Sequence, residues 1–427
     1  MNNITEVKSA RTGDKYYKIE HFSGLTIYLY PKPDYNSKYA IFGTRYGSVN
    51  NAFRLDGGDV IRVPDGIAHY LEHKMFECED GDAFVKYAKT GANANAYTSF
   101  DKTCYLFSCT DRFDESFRIL LDFVSRPYFT EQTVQKEQGI IGQEIRMYDD
   151  SPDWRVMFNM LENMYHSHPV KLDIAGTVES IAKITPELLY DCYNTFYNLN
   201  NMVLAVAGDL SVDDILKTAD SMLKPCEKHE IESFFEDEPY EVVSDYVEQK
   251  FPVSMPMFNL GFKERAHEVS QKEMAETSII LSVLSSPSSQ LYKMLDDASL
   301  INQSFTSECF TGPGYYSFIF SGESRAPKKA AEMIKNYITD LKANGIKPED
   351  FEIARKEVYG DAVSGLNSVD NIANSLVGFH FNNYEFFSAI DDIADCTLDD
   401  VNSRLGEILD VNNCTLSVVF GEEDCEG

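Results

Sequence analysis

Positive charge is scarce in this chain. Lys and Arg total 38 against 69 Asp and Glu, a formal net charge of −31. Nucleic acids and anionic membranes are held by clustered cations, so neither is expected as a partner. Long apolar runs are missing as well. Nothing approaches the roughly 18 uninterrupted apolar residues of a membrane-spanning helix. The opening Met1-Asn-Asn-Ile-Thr-Glu-Val-Lys-Ser has no apolar run behind its charges, so no signal peptide is expected. There is no Cys-x-x-Cys. The cysteines (Cys78, Cys104, Cys109, Cys192, Cys226, Cys309, Cys396, Cys414, Cys425) are scattered and odd in number. That excludes a thiolate zinc module and a secreted disulfide scaffold, and favours reduced thiols in a cytoplasmic protein. No Gly-x-Gly-x-x-Gly or phosphate-binding loop follows a strand, so nucleotide chemistry has no support.

What remains is ordinary globular usage, 43% apolar and 25% charged over 427 residues, enough for two to four domains. The chain reads as two related halves. Asn200-Asn-Met-Val-Leu-Ala-Val-Ala-Gly resembles Asn412-Asn-Cys-Thr-Leu-Ser-Val-Val-Phe-Gly, each a β-branched, strand-like run. A helix that opens at a threonine precedes each, at Thr185 and Thr397. Both pairs of segments share one offset along the chain, as a duplicated domain would give. The predicted domains are 1–225 and 251–427, joined by an acidic linker at 226–250 with a strand near Tyr246-Val-Glu. In the first half, Leu25–Tyr30 and Tyr39–Tyr46 read as neighbouring strands. A helix should open at Pro64-Asp65-Gly66 with Asp65 as its cap. Asn95–Ser99 and Cys104–Ser108 read as a hairpin, and helices are expected at 112–126, 131–148, 153–165 and 186–196. This order predicts an α+β fold, helices packed on one face of a mainly antiparallel sheet.

The sharpest signal is His69-Tyr-Leu-Glu72-His73. On a helix, positions i and i+4 lie about 40° apart around the axis, so both imidazoles leave one face and fit two corners of a zinc tetrahedron. Glu72 lies about 60° from His69, on the same side. It can serve as a base without ligating. The pattern is the inverse of His-Glu-x-x-His, and chance gives it roughly 0.01 times in a chain of this composition. Two histidines leave a catalytic site one protein ligand short. The helix at 131–148 carries Glu131, Glu137 and Glu144. Glu137 and Glu144 are seven apart and share a face, so one could ligate and the other support it. Spacing alone does not choose between them. His166 and His168, two apart beside Pro169, are rival ligands and read better as a loop or capping feature.

Gly66-Ile-Ala-His-Tyr-Leu-Glu-His-Lys-Met-Phe76 resembles the core motif of the pitrilysin or insulinase zinc peptidases (the inverzincins), which include the processing peptidases. Gly91-Ala-Asn-Ala-Asn-Ala-Tyr-Thr-Ser-Phe-Asp resembles that family's substrate-pairing edge strand. Glu137 and Glu144 match its paired glutamates. His168-Pro169, Gly176-Thr177 and Asn201 through Asp209 resemble further landmarks, in order. The likeness covers the first half well and the second weakly. It implies one half of a clamshell built from two homologous domains. It also implies one Zn2+ per chain held by His69, His73 and Glu144, with Glu72 as general base and Glu137 orienting a ligand. Asn93, Ala94, Asn95, Ala96, Tyr97 and Thr98 would grip a peptide by main-chain pairing. The implied reaction is zinc-dependent hydrolysis of peptides or unfolded segments.

The second half departs from the family pattern. Active single-chain relatives carry an Arg and a Tyr there, seven apart, that reach the substrate. Here Asp296 and Gln303 stand in those places. Ionised Asp cannot donate to an oxyanion, and Gln offers only an amide. Tyr315 and Tyr316 on the next predicted strand are candidates to compensate, though they read better as packed strand aromatics. The resemblance therefore implies a dimer, preferably with a homologous chain that supplies the Arg/Tyr pair. The alternative is a non-catalytic peptide-binding or assembly subunit of a peptidase complex.

Overall fold

The computed structural model describes residues 2–421; Cys425 lies outside them. The chain forms two compact units. The first runs from the N-terminal end to Ile145 and adds Asp173–Phe234 and Val363–Phe387. The second takes Arg146–Leu172, Phe235–Ala362 and the described residues from Ser388 onward. Each unit thus includes a segment from the other half of the sequence.

Seven strands build the sheet of the first unit: β1 (Asn3–Lys8), β2 (Lys15–Glu20), β3 (Thr26–Pro31), β4 (Lys38–Thr44), β5 (Asn93–Thr98), β6 (Thr103–Cys109) and β7 (Met202–Gly208). Their order is β1-β2-β3-β7-β4-β6-β5. Only β3 and β7 run parallel. The segments at Leu25–Tyr30 and Tyr39–Tyr46, expected as neighbours, are not paired: β7 lies between them, parallel to one and antiparallel to the other. Residues of β7 are buried throughout, so a run apolar on both faces went to the sheet centre. The hairpin β5–β6 forms as predicted, and β5 is the last strand of the sheet.

Four helices of this unit concern the site: α1 (Ile67–Met75), α2 (Glu131–Asp149, to Ile145 in this unit), α3 (Pro186–Phe196) and α4 (Val369–Phe381). Leu71 of α1, Ile141 of α2, Leu189 of α3 and the helix Phe113–Val124 pack with Phe42, Leu204 and Val206 of the sheet into one core. The other sheet face is covered by α4. A Cβ on Gly43 would sit 3.1 Å from Val377, and Asn374 bonds both Tyr39 and Tyr97. No local periodicity in residues 1–225 announces this helix, because it lies more than 140 residues further along the chain.

The second unit repeats the scheme. Its strands are β8 (Tyr246–Lys250), β9 (Met257–Lys263), β10 (Thr306–Gly312), β11 (Tyr315–Glu323) and β12 (Cys414–Phe420), in the order β8-β12-β9-β11-β10. The pair β8–β12 is parallel and the rest are antiparallel, as in β3-β7-β4-β6-β5. The helices Gln271–Ser285 and Leu398–Glu407 join the core on one face. The helix Pro152–Met164 lies on the other, where only Gly261 leaves room for Met160 and Met164. The predicted caps hold: Thr185 accepts from Leu188 N–H, and Thr397 forms a capping box with Asp400.

The acidic stretch is built into the structure. Ile231–Ser233 pairs with Ala52–Leu55 in the first unit. In the second, Glu238 accepts backbone N–H bonds from His166, Ser167 and His168 and pairs with the buried Lys263 at 2.6 Å. No helix among the described residues is long and apolar enough to cross a membrane.

Candidate metal centre and active site

Helix α1 starts on glycine. Gly66 occupies the N-cap in the left-handed region at φ 87°, and no side chain caps the helix. A Cβ there would lie 2.3 Å from the Ala175 carbonyl oxygen. Gly176 is constrained reciprocally, since its Cβ would lie 2.5 Å from the Asp65 carbonyl. The expected Asp65 cap is therefore wrong: Asp65 instead accepts from the Asn51 amide at 3.0 Å. A tertiary contact fixes where this helix begins, which overrides local cap preference.

The apolar side of α1 locks the polar side in place. Tyr70 and Leu71 are fully buried, and the Tyr70 hydroxyl donates to the Val134 carbonyl of α2. Val134, Ile141 and Ile145 bury the inner stripe of α2. Glu137 and Glu144 flank that stripe and face α1. His73 Nε2 lies 3.3 Å from one oxygen of Glu144, and His69 Nε2 lies 3.7 Å from the other. His73 Nδ1 lies 3.1 Å from Glu137. The two imidazoles are 4.6 Å apart, centroid to centroid.

This set fits a metal. One ligand atom each from His69, His73 and Glu144 fall within 4.8 Å of one another, the one such group among the described residues. Tetrahedral zinc with bonds of 2.0–2.1 Å puts its ligand atoms roughly 3.3 Å apart. The His73–Glu144 separation of 3.3 Å matches that edge and the His69–Glu144 separation of 3.7 Å is slightly longer. Glu137 stands outside the trio and reaches the far nitrogen of His73, so tertiary depth separates two glutamates that helical spacing left equivalent. Buried His69 is pushed down to about 4, by desolvation first and by the neighbouring His73 second. Burial also works against a cation on His73, yet its bonds to Glu137 and Glu144 prevail and raise it to about 10. Glu137 is lowered, since the His73 bond outweighs burial.

Glu72 is 8% exposed, and burial raises its pKa above the usual carboxylate range. Its Oε2 accepts the Thr98 hydroxyl at 2.7 Å. Thr98 ends β5. Alternation on that strand turns Ala94, Ala96 and Thr98 toward the core side, while Tyr97 bonds Asn374 on the opposite face. Among the described residues the main chain of Asn93–Thr98 pairs with β6 on one side only. The rival histidines are elsewhere engaged. His168 is buried; its Nδ1 accepts from Val170 N–H, and its Nε2 lies 3.0 Å from the Pro313 carbonyl, the capping role its sequence suggested. The backbone N–H of His166 binds Glu238. Asp296 and Gln303 are exposed. Tyr315 and Tyr316 are buried core residues, and the Tyr316 hydroxyl accepts from Arg404 at 2.8 Å.

Known proteins agree with this architecture. Residues 62–178 match the model of the insulinase family (peptidase family M16), and residues 183–358 match that of the peptidase M16 inactive domain. The chain is 38% identical over 432 residues to Uncharacterized zinc protease YmfH of Bacillus subtilis, covering 97% of this chain and 99% of that one. The chain belongs to peptidase family M16. An M16-like peptidase from Alicyclobacillus acidocaldarius has the same fold, with a TM-score of 0.91, 35% identity and 99% of each chain covered. Pitrilysin shares the M16 fold at a TM-score of 0.75 and 16% identity, and this chain spans 46% of it.

Proposed function

We propose that this chain is a zinc-dependent endopeptidase that holds one Zn2+ through His69, His73 and Glu144 and hydrolyses peptides or unfolded segments. The observation that carries the reading is the convergence of the two Nε2 atoms on Glu144 beside a buried carboxylate and an open strand edge. A bound zinc ion supplies Lewis-acid activation of water and of the scissile carbonyl.

The chain's own residues do the rest. The main chain of Asn93–Thr98 pairs with an extended peptide, which grips backbone and leaves side-chain choice broad. Glu72 takes a proton from the attacking water and returns it to the leaving amine. Burial raises the pKa of this carboxyl and so makes it a stronger base than an exposed one. Glu137 is a positioning residue: its bond to His73 Nδ1 fixes ring and tautomer so that Nε2 faces Glu144. Neither an acyl-enzyme nor a cysteine nucleophile is involved. All eight cysteines among the described residues are free, which supports a reducing, cytoplasmic location.

The reading includes a dimer, with a homologous partner chain supplying the Arg/Tyr pair. Exposed Asp296 and Gln303 and buried Tyr315 and Tyr316 offer no substitute, and the chain spans about half of pitrilysin. The same gap is what favours the second reading, a non-catalytic peptide-binding subunit. Intact His69, Glu72, His73 and Glu144 weigh against it. The reading also takes 1–225 and 251–427 as duplicated domains joined by 226–250, supported by the matching caps at Thr185 and Thr397 and the matching strand orders.

Hydrolysis of a mixed peptide library, followed by mass spectrometry with Glu72→Gln as control, tests the reading. The expected outcome is cleavage lost at least 10³-fold in the variant with zinc retained. Zinc bound with no cleavage, alone or with any homologous partner, would leave the binding subunit as the answer.

A further inference from the structure

We infer that Thr98 is a positioning residue for Glu72: its hydroxyl couples the edge strand to the base and leaves one carboxylate oxygen available for the proton. The inference rests on the peptidase reading and deepens it.

Proton bookkeeping fixes the direction of the bond. A threonine hydroxyl has one proton to give. Thr103 faces Thr98 directly across the β5–β6 pairing and is fully buried. Its hydroxyl donates to the Tyr46 carbonyl at 2.8 Å, so that proton is spent. The contact between Thr98 and Thr103, at 3.3 Å, can then form only with Thr98 donating. Glu72 Oε2 competes for the same proton at 2.7 Å and carries charge. A charge-assisted bond of that length prevails over a neutral one at 3.3 Å. The Thr98 proton therefore goes to Glu72, and Thr103, its own proton held by the Tyr46 carbonyl, is left as the weaker acceptor.

The consequence lies at the base. Glu72 has three side-chain torsions and little solvent to satisfy it. Among the described residues the hydrogen bond it accepts ends on Oε2, so Oε1 is the oxygen left to take up a proton. Thr98 also belongs to the strand whose outer edge is unpaired among the described residues. A peptide added to that edge would order the same residue that holds the base. Occupancy of the strand and alignment of Glu72 are thus linked through one side chain.

The experiment compares wild type, Thr98→Val and Thr98→Ser for zinc content, kcat and KM. Valine keeps the β-branched shape and removes the hydroxyl; serine keeps the hydroxyl. The expected result is one zinc per chain throughout and kcat lower by about 10- to 30-fold in Thr98→Val, with KM within about twofold and kcat restored to within about threefold by Thr98→Ser. Isotope-edited infrared difference spectra give a readout that needs no turnover. Thr98→Val should shift one carboxylate stretch, and the shift should vanish when the same pair is compared in a Glu72→Gln background. Wild-type kcat in Thr98→Val, an equal loss in Thr98→Ser, or no carboxylate shift would overturn the inference. A chain that cleaves nothing would defeat the peptidase reading instead, and the infrared band would still decide the contact.

Discussion

At the residue scale, chemistry was legible where it is local and hidden where it depends on depth. His69, Glu72 and His73 announce themselves because one helical turn places them on one face. Glu137 and Glu144 did not sort themselves, because residues seven apart on a helix point the same way. The structure separates them by reach: Glu144 meets both Nε2 atoms, and Glu137 meets only the far nitrogen of His73. That difference has a measurable form. Glu144→Gln should abolish stoichiometric zinc, whereas Glu137→Gln should keep the site and weaken it by about 10- to 100-fold, as losses of outer partners to a ligand do. Competition against a chelator of known affinity reads both. Equal effects from the two variants would contradict the assignment.

Elements show the same division. Strands and helices of the first half were legible from alternation and from caps such as Thr185. Their neighbours were not. The strand β7 enters between β3 and β4 from some 160 residues further on, and α4 covers the far face of the sheet from later still. Pairing of that kind is set by burial over the whole unit, and no window of sequence contains it. The acidic stretch also has contacts that its charge does not announce. Its charge reads as linker, and within it the half-buried Glu238 holds three backbone N–H groups and the buried Lys263. Burial alone would raise its carboxyl, but the Lys263 bond and the three N–H bonds hold it down at about 2. A carboxyl whose folded pKa lies below its ordinary value of 4.5 stabilises above that pH and loses the contribution as pH falls toward 2. The contribution is on the order of 3 kcal/mol. Glu238→Gln should therefore unfold more readily than wild type at pH 7, and the gap should close between pH 4.5 and 2. A gap in melting temperature that stays constant with pH would show that the clamp acts by packing alone.

For the molecule as a whole, the family, the α+β class and the doubled plan were legible from one motif and one repeated offset. The matching strand orders of the two units give that repeat its physical form: a parallel pair, one antiparallel neighbour and an edge hairpin. The second unit keeps the scaffold, and among the described residues it holds no metal-ligand group; the match to the inactive M16 domain, residues 183–358, covers much of it. The proposed partner was not legible, because Asp296 and Gln303 mark only where this chain departs from the family pattern. The central claim is that a metal trio, a buried base and an open strand edge act on one peptide. Its most direct test is a crystal structure of Glu72→Gln, with its homologous partner where one is required, soaked with an unstructured peptide and recorded at the zinc absorption edge. The account predicts one anomalous peak among His69, His73 and Glu144, with the peptide main chain paired to Asn93–Thr98. A peak at other residues, no peak, or a peptide bound away from that strand would contradict it.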